Sequence, residues 1–342
     1  MPRPTTRKGR NMTVRRWKMV CCMAFAAMIG VSGCSALGGA DDEPAGGGSG
    51  ALEKTSIKVA TLVSVDLVPF WKALDEGYFR AVGLDVKAEN ADSGAASQGK
   101  VINGEADIAL TTYPLFFIAQ QSKAVDLRLV AGATSASPKS NQLMVAPNSP
   151  VKSVEDLPGK RIAITSKNAA SDILTRSMMR DHGVDYSTVK WVPVLLPNMA
   201  AALKDNQVDA AYMPEPFQTE ASNSMGATPI VDVASGSTKD FPITGFAATA
   251  KWAEKNKNTM AAFQLAMLRA TRDTNSNLDN IRPLLPKYTK VTERTAALVT
   301  LPHYVSTLEV LPIQRVSDKL HELGALPERL DAANLIVQQV HP

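Results

Sequence analysis

The chain has 342 residues, 45 % of them hydrophobic and 20 % charged, which is enough sequence for two ordinary domains with separate cores. Its formal charge of +4 is unevenly distributed: Arg3, Arg7, Lys8, Arg10, Arg15, Arg16 and Lys18 fall in residues 1–33 without one acidic residue, and the remainder holds 30 basic against 33 acidic side chains. Net charge therefore gives no support to a nucleic-acid partner.

Residues 1–33 read as a signal peptide. A basic region ends at Lys18, and an apolar stretch of about 13 residues runs from Met19 to Val31. That is too short for a membrane span of roughly 20 residues and suits a secretory h-region. The stretch runs into Val31-Ser32-Gly33-Cys34, which resembles the lipobox of bacterial lipoproteins. The resemblance implies cleavage before Cys34, lipidation of its sulfur and a place on the outer face of the cell membrane. Arg15-Arg16 leaves the twin-arginine route open beside general secretion, and Met12 is a second candidate start. Cys21 and Cys22 lie inside the signal, so the mature chain keeps Cys34 alone, with no internal disulfide and no thiolate metal site. Residues 34–56, with Asp41-Asp42-Glu43-Pro44 and a glycine run, have little to bury. They are expected to form a disordered tether with a root-mean-square reach of ~25 Å.

From Ile57 onward short apolar runs alternate with helical patterns, which predicts parallel α/β units. Ile57–Leu62 is predicted as a strand, Pro69 to Phe79 as a helix ended by Gly83, and Leu84–Ala88 as the next strand. A helix follows Ser93-Gly94 and stops near Asn103-Gly104, and Asp107–Thr111 is a third strand. The pattern then recurs. Lys58-Val59-Ala60-Thr61 is echoed by Arg161-Ile162-Ala163-Ile164-Thr165, Gly83-Leu84-Asp85 by Gly183-Val184-Asp185, and Glu105–Ala109 by Gln207–Ala211. Near-constant spacing predicts two copies of one β-α-β-α-β unit.

Two such sheets facing each other leave a crevice at their strand carboxyl ends, where open α/β sheets bind ligands. The predicted organisation is 57–145 plus 236–342 as lobe one and 146–235 as lobe two. Residues 251–339 read as helices punctuated by Pro283, Pro286, Pro302, Pro312 and Pro327, packed outside lobe one.

Pro69-Phe70, Gly77-Tyr78-Phe79, Gly83-Leu84-Asp85-Val86, Gly104–Ala109, Val154–Ala163 and Met213-Pro214-Glu215-Pro216-Phe217 occur in order along the chain. Together they resemble the substrate-binding proteins of nitrate/sulfonate/taurine importers and of thiamine-pyrimidine-precursor uptake. The resemblance implies a type II periplasmic-binding-protein fold with two α/β lobes, a hinge and a cleft. It also implies service to an ABC permease and its ATPase, with no cofactor and no catalysis; the chain is expected to be a monomer. The turn Thr165–Ser171 lacks the glycine common in sulfonate binders.

Position at strand ends nominates the ligand contacts. Ser166, Lys167, Asn168 and Ser171 open a helix in lobe two, where hydroxyl and N–H groups face a cleft; the same residues also serve as helix caps. Thr112 and Tyr113 occupy the matching place in lobe one, with Tyr113 either stacking on a flat ligand or packing inward. Glu215 either meets a ligand bearing N–H donors or positive charge, or caps the helix after Pro216. Phe70 offers an apolar wall, Asn198 an amide, and Thr244 a hydroxyl at the return crossing. His182, His303, His321 and His341 show no metal-ligand spacing. Sulfonates, nitrate-like anions, flavins and pyrimidine precursors stay open as ligands, with a tilt towards an aromatic or amine-bearing solute. The rival readings are an enzyme like the pyrimidine synthase of the same fold and a sensory ligand-binding subunit.

Overall fold

The structure is a computed structural model and describes residues 50–123, 125–289 and 291–340. The signal segment, Cys34 and most of the 34–56 stretch lie outside them. The last residues of that stretch correct the expectation of a free tether. The Glu53 carboxylate accepts the backbone N–H groups of Asn258 (3.1 Å) and Thr259 (2.9 Å) at the start of a long helix. Lys54 pairs with Asp107 at 2.7 Å, and Leu52 packs on the first core. Free N–H groups at a helix start attract such a carboxylate, and they bind this part of the chain to the body.

The first unit consists of β1 (Ser56–Thr61), α1 (Val68–Asp75), α2 (Tyr78–Ala81), β2 (Asp85–Asn90), α3 (Gly94–Ile102) and β3 (Ile108–Thr112). The helix predicted from Pro69 to Phe79 is broken in two. Gly77, at φ +80°, takes the left-handed conformation that ends the first piece without a Cβ clash. The chain continues through α4 (Tyr113–Gln121) and β4 (Leu127–Ser135), then crosses to a second sheet. There it forms β5 (Asn141–Val145), β6 (Arg161–Ile164), α5 (Ala170–Asp181), β7 (Lys190–Pro193), α6 (Met199–Lys204), β8 (Ala210–Pro214), α7 (Phe217–Met225) and β9 (Thr228–Asp232). It returns as β10 (Pro242–Thr249), followed by α8 (Ala250–Lys255), α9 (Lys257–Ser276), α10 (Leu285–Thr289), α11 (Glu293–Leu298), β11 (His303–Tyr304) and α12 (Val310–Glu322).

The strand orders are β11-β4-β10-β3-β1-β2 and β7-β6-β8-β5-β9. β5 is antiparallel to both β8 and β9, so the crossing falls before Asn141 and not at residue 145. The repeat is visible in the pairing. β1 lies parallel between β2 and β3 as β6 lies between β7 and β8. Even one side chain repeats: Lys58 N donates to Asp107 Oδ2 at 2.9 Å, and Arg161 N to Asp209 Oδ2 at 2.8 Å.

Three apolar layers hold these sheets. α1, α2 and α9 cover the first, where Phe70, Phe79, Phe246 and Phe263 interlock and are each buried. Burying one such ring contributes about 1.5–3 kcal/mol. Met199, Leu203 and Met213 form the layer of α6 and β8 on the second sheet. A third cluster joins the lobes: Phe116 and Phe117 of α4, Ile173, Leu174 and Met178 of α5, and Val316 and Leu320 of α12 pack with Leu129, Leu143 and Ile162 of both sheets. The C-terminal helices thus cover lobe one through α9, while α12 also reaches α5, where Arg176 and Arg180 donate to Leu323 O and Glu322 O, each at 3.2 Å.

A cleft at the strand ends

All six parallel strands deliver the residues beyond their carboxyl ends to one cleft of about 360 Å³. β1 leads into Leu62–Asp66, β2 into Ala91–Ala95 and β3 into Thr112 and Leu115. From the other lobe, β6 leads into Thr165, Ser166 and Ala169–Ser171, β7 into Leu195–Pro197, and β8 into Pro214, Glu215 and Phe217. The crossing strands add Thr134, Ser140, Asn141, Ile243 and Thr244, and the C-terminal segment adds Pro302. Successive β-α turns of a parallel sheet all open at one edge, and each copy of the repeat presents that edge to the gap.

Of the residues nominated from sequence, Thr112, Ser166, Ser171, Glu215 and Thr244 line this cleft. The other five stand elsewhere. Phe70 is fully buried against Trp71, Phe79 and Phe246. Tyr113 is 1 % exposed and lies flat on β10, where a Cβ on Gly245 would meet its hydroxyl at 2.5 Å. It takes the inward alternative because that glycine leaves room for a ring. Lys167 and Asn198 point to solvent. Asn168, in a left-handed turn at φ 62°, donates its N–H to Asp172 Oδ2 at 2.7 Å and so shapes the loop without reaching the cleft wall.

The Thr165–Ser171 loop is held by its own side chains. Ser171 Oγ accepts Thr165 N at 3.0 Å and contacts Thr165 Oγ1 at 2.8 Å. Behind it Asp172, 2 % exposed, forms an ion pair with Arg176 at 2.9 Å. Burial raises the Asp172 carboxyl in spite of that guanidinium.

Glu215 is the most constrained group in the cleft. It is 3 % exposed, and its Oε1 accepts Gln218 Nε2 (2.7 Å), Thr219 Oγ1 (2.9 Å) and Thr300 N (3.0 Å). Gln218 and Thr219 belong to the first turn of α7, so Glu215 is tied to that helix start through side chains, with no cap on the helix backbone. Oε2 is buried without a hydrogen-bond partner, as is Thr112 Oγ1. Burial raises the Glu215 carboxyl above its ordinary value, more than the hydrogen bonds from Thr300, Gln218 and Thr219 lower it.

Sequence reasoning missed Asp66, Asp92, Thr134, Asn141 and Tyr212. Asp66 follows β1 in the short turn capped by Ser64, whose Oγ accepts Asp66 N at 3.1 Å. Burial pushes its carboxyl up to about 6, against the hydroxyls of Ser64, Thr134 and Thr244. Thr134 and Thr244 contact each other at 2.7 Å, and Tyr212 OH donates to Asn141 Oδ1 at 2.5 Å. The repeat carried the signal for Asp66: the offset that places Lys58 on Arg161 places Asp66 on Ala169, inside the loop nominated in lobe two. Among the described residues no group of histidine, cysteine and carboxylate side chains is arranged to hold a metal ion.

Known proteins share this architecture. The chain is 26 % identical over 230 residues, 65 % of its length and 70 % of the relative's, to a protein named as an aliphatic sulfonates-binding protein in Escherichia coli (strain K12). It superposes on the periplasmic aliphatic sulphonate binding protein SsuA from Escherichia coli with a TM-score of 0.68 at 21 % identity, covering 84 % of this chain and 94 % of that one. For the alkanesulfonate-binding SsuA of Xanthomonas axonopodis pv. citri, bound to MOPS, the values are 0.71, 17 %, 84 % and 99 %. For the nitrate-binding NrtA of Synechocystis PCC 6803 they are 0.71, 16 %, 84 % and 87 %. The fold is therefore that of the periplasmic binding proteins. The description NMT1/THI5 like fits residues 64–279, well over half of the chain, and the protein belongs to that family.

Proposed function

We propose that this protein is the extracytoplasmic solute-binding component of an ABC importer, which captures a small solute between its lobes and passes it to the permease. The observation that carries this reading is the cleft itself: six strand ends from two lobes converge on a volume of about 360 Å³ that combines apolar wall with convergent hydroxyl, amide and carboxylate groups, the usual character of a small-molecule site. The named relatives are binding proteins, and capture with release asks for no bond to be made or broken. The chain acts as a monomer in this reading, and no pyrimidine-synthase chemistry is assigned to it.

The basic and apolar N-terminal run ending at Cys34 supports export and a lipid anchor on the outer face of the cell membrane. Cys34→Ala is expected to abolish incorporation of an alkyne-bearing fatty acid and to release the protein from the membrane fraction. Continued labelling of that variant would remove the anchor from the proposal. The capture role is tested by small-angle scattering with and without a solute that raises the melting temperature. Lobes that close give a smaller radius of gyration, and an unchanged radius with a tightly bound solute contradicts the role.

A further inference from the structure

We propose that the captured solute carries a protonated amine, received by Glu215 of lobe two and Asp66 of lobe one, on an apolar body that lies against Leu115, Leu196, Phe217 and Ile243. This inference rests on the solute-binding reading and names the class of ligand for the same cleft.

Charge is the first ground. Asp66, Asp92 and Glu215 line the cleft, and no lysine, arginine or histidine does so among the described residues. A sulfonate or nitrate placed there would meet carboxylates with no cation to offset them, whereas an ammonium group is attracted to each. The second ground is geometric and independent. Glu215 is 3 % exposed and lines the cleft, with all three of its recorded hydrogen-bond donors on Oε1 and none on Oε2. Three donors on one oxygen favour the ionised form against the burial that raises this carboxyl, and a buried carboxylate oxygen left bare is costly until a donor reaches it.

Helix starts facing the cleft argue for anions, but at two of them the chain has already placed a carboxylate. Glu215 stands one residue before the Pro216 cap of α7 and Asp92 beside the Ser93 cap of α3, while the charge of Asp172 in the first turn of α5 is taken up by Arg176. Each helix start is equivalent to roughly half a positive charge, less than the full negative charge of the carboxylate beside it. At these two starts the balance stays negative.

The test titrates the purified chain with hexylamine and 2-phenylethylamine, and with hexane-1-sulfonate, 2-phenylethanesulfonate and nitrate, by calorimetry and thermal shift. The amines are expected to bind at least about tenfold more tightly than the sulfonates of the same body. Glu215→Gln is expected to weaken amine binding about 30-fold or more. Asp66→Asn, the second variant should Glu215→Gln fail to fold, is expected to weaken it about tenfold. The inference is overturned if the sulfonates or nitrate bind as tightly as the amines, if no amine binds in the millimolar range, or if folded variants bind amines like the parent. Sulfonate or nitrate binding with compaction would leave the solute-binding role standing and remove only the amine. A radius of gyration unchanged while any of these compounds is tightly bound would remove the role as well.

Discussion

The loop that lobe two contributes to the cleft is backed by one buried ion pair, and its removal is the sharpest test of how the site is held. Asp172 and Arg176 are 2 % and 9 % exposed and 2.9 Å apart. Arg176 also reaches Leu323 O (3.2 Å) and Asn168 Oδ1 (3.4 Å), while Asp172 takes Asn168 N (2.7 Å), so loop, helix and C-terminal segment share the pair. Asp172→Asn leaves the guanidinium buried without its counter-charge, which costs about 3–5 kcal/mol. Arg176→Met strands the carboxylate, at a cost of about 3 kcal/mol, held down because a carboxyl already raised by burial takes up a proton. Taking both charges out of water is itself costly, so the double variant Asp172→Leu/Arg176→Met should lose only about 1–2 kcal/mol, chiefly the hydrogen bond to Asn168 N. Urea unfolding of the parent, the single variants and the double variant gives the cycle. Single variants costing less than about 1 kcal/mol, or a double variant equal to their sum, would refute the pair as the element that holds this loop.

Further outcomes follow from the first lobe. The folded Asp66 carboxyl holds its proton up to about 6 against an ordinary 3.8, so the folded chain binds more protons than the unfolded one between those values and stability falls as pH rises through that window. The groups facing it are the hydroxyls of Ser64, Thr134 and Thr244 and the phenols of Tyr212 and Tyr304, which burial and the Asp66 charge together raise. Asp66→Asn should therefore stabilise the unliganded chain at neutral pH by about 1–3 kcal/mol and flatten the slope, with Glu215 keeping a residual one. Unfolding curves at several pH values check this, and a variant no more stable than its parent at neutral pH contradicts it. Gly245→Ala places a methyl 2.5–2.8 Å from the Tyr113 ring and hydroxyl, and should cost about 1–3 kcal/mol in the same assay. An unchanged midpoint would mean that the ring has room to move.

Local pattern reached a long way into this fold. Alternating apolar runs located β1, β2 and β3 to within a residue or two, and the echo of Lys58 at Arg161 anticipated two β-α-β-α-β units because each unit is specified by its own short-range turns and faces. Strand ends then nominated Thr112, Ser166, Ser171 and Glu215, all of which line the cleft. Gly77 shows where pattern reading stops: the periodicity of Val68 to Phe79 is helical throughout, but one left-handed residue divides it.

Sequence alone determined that the chain would build two parallel units whose strand ends receive helices, since hydrophobic period and turn residues act over neighbouring positions. Tertiary structure decided which of those end residues face the gap. Tyr113 turned inward because Gly245, on a strand from the far side of the crossing, offers it a flat bed. Asp66 became a cleft carboxylate beside the hydroxyls of Thr134 and Thr244, which reach it from the crossing strands. Such choices depend on contacts between residues far apart in the chain, and a local pattern carries no record of them.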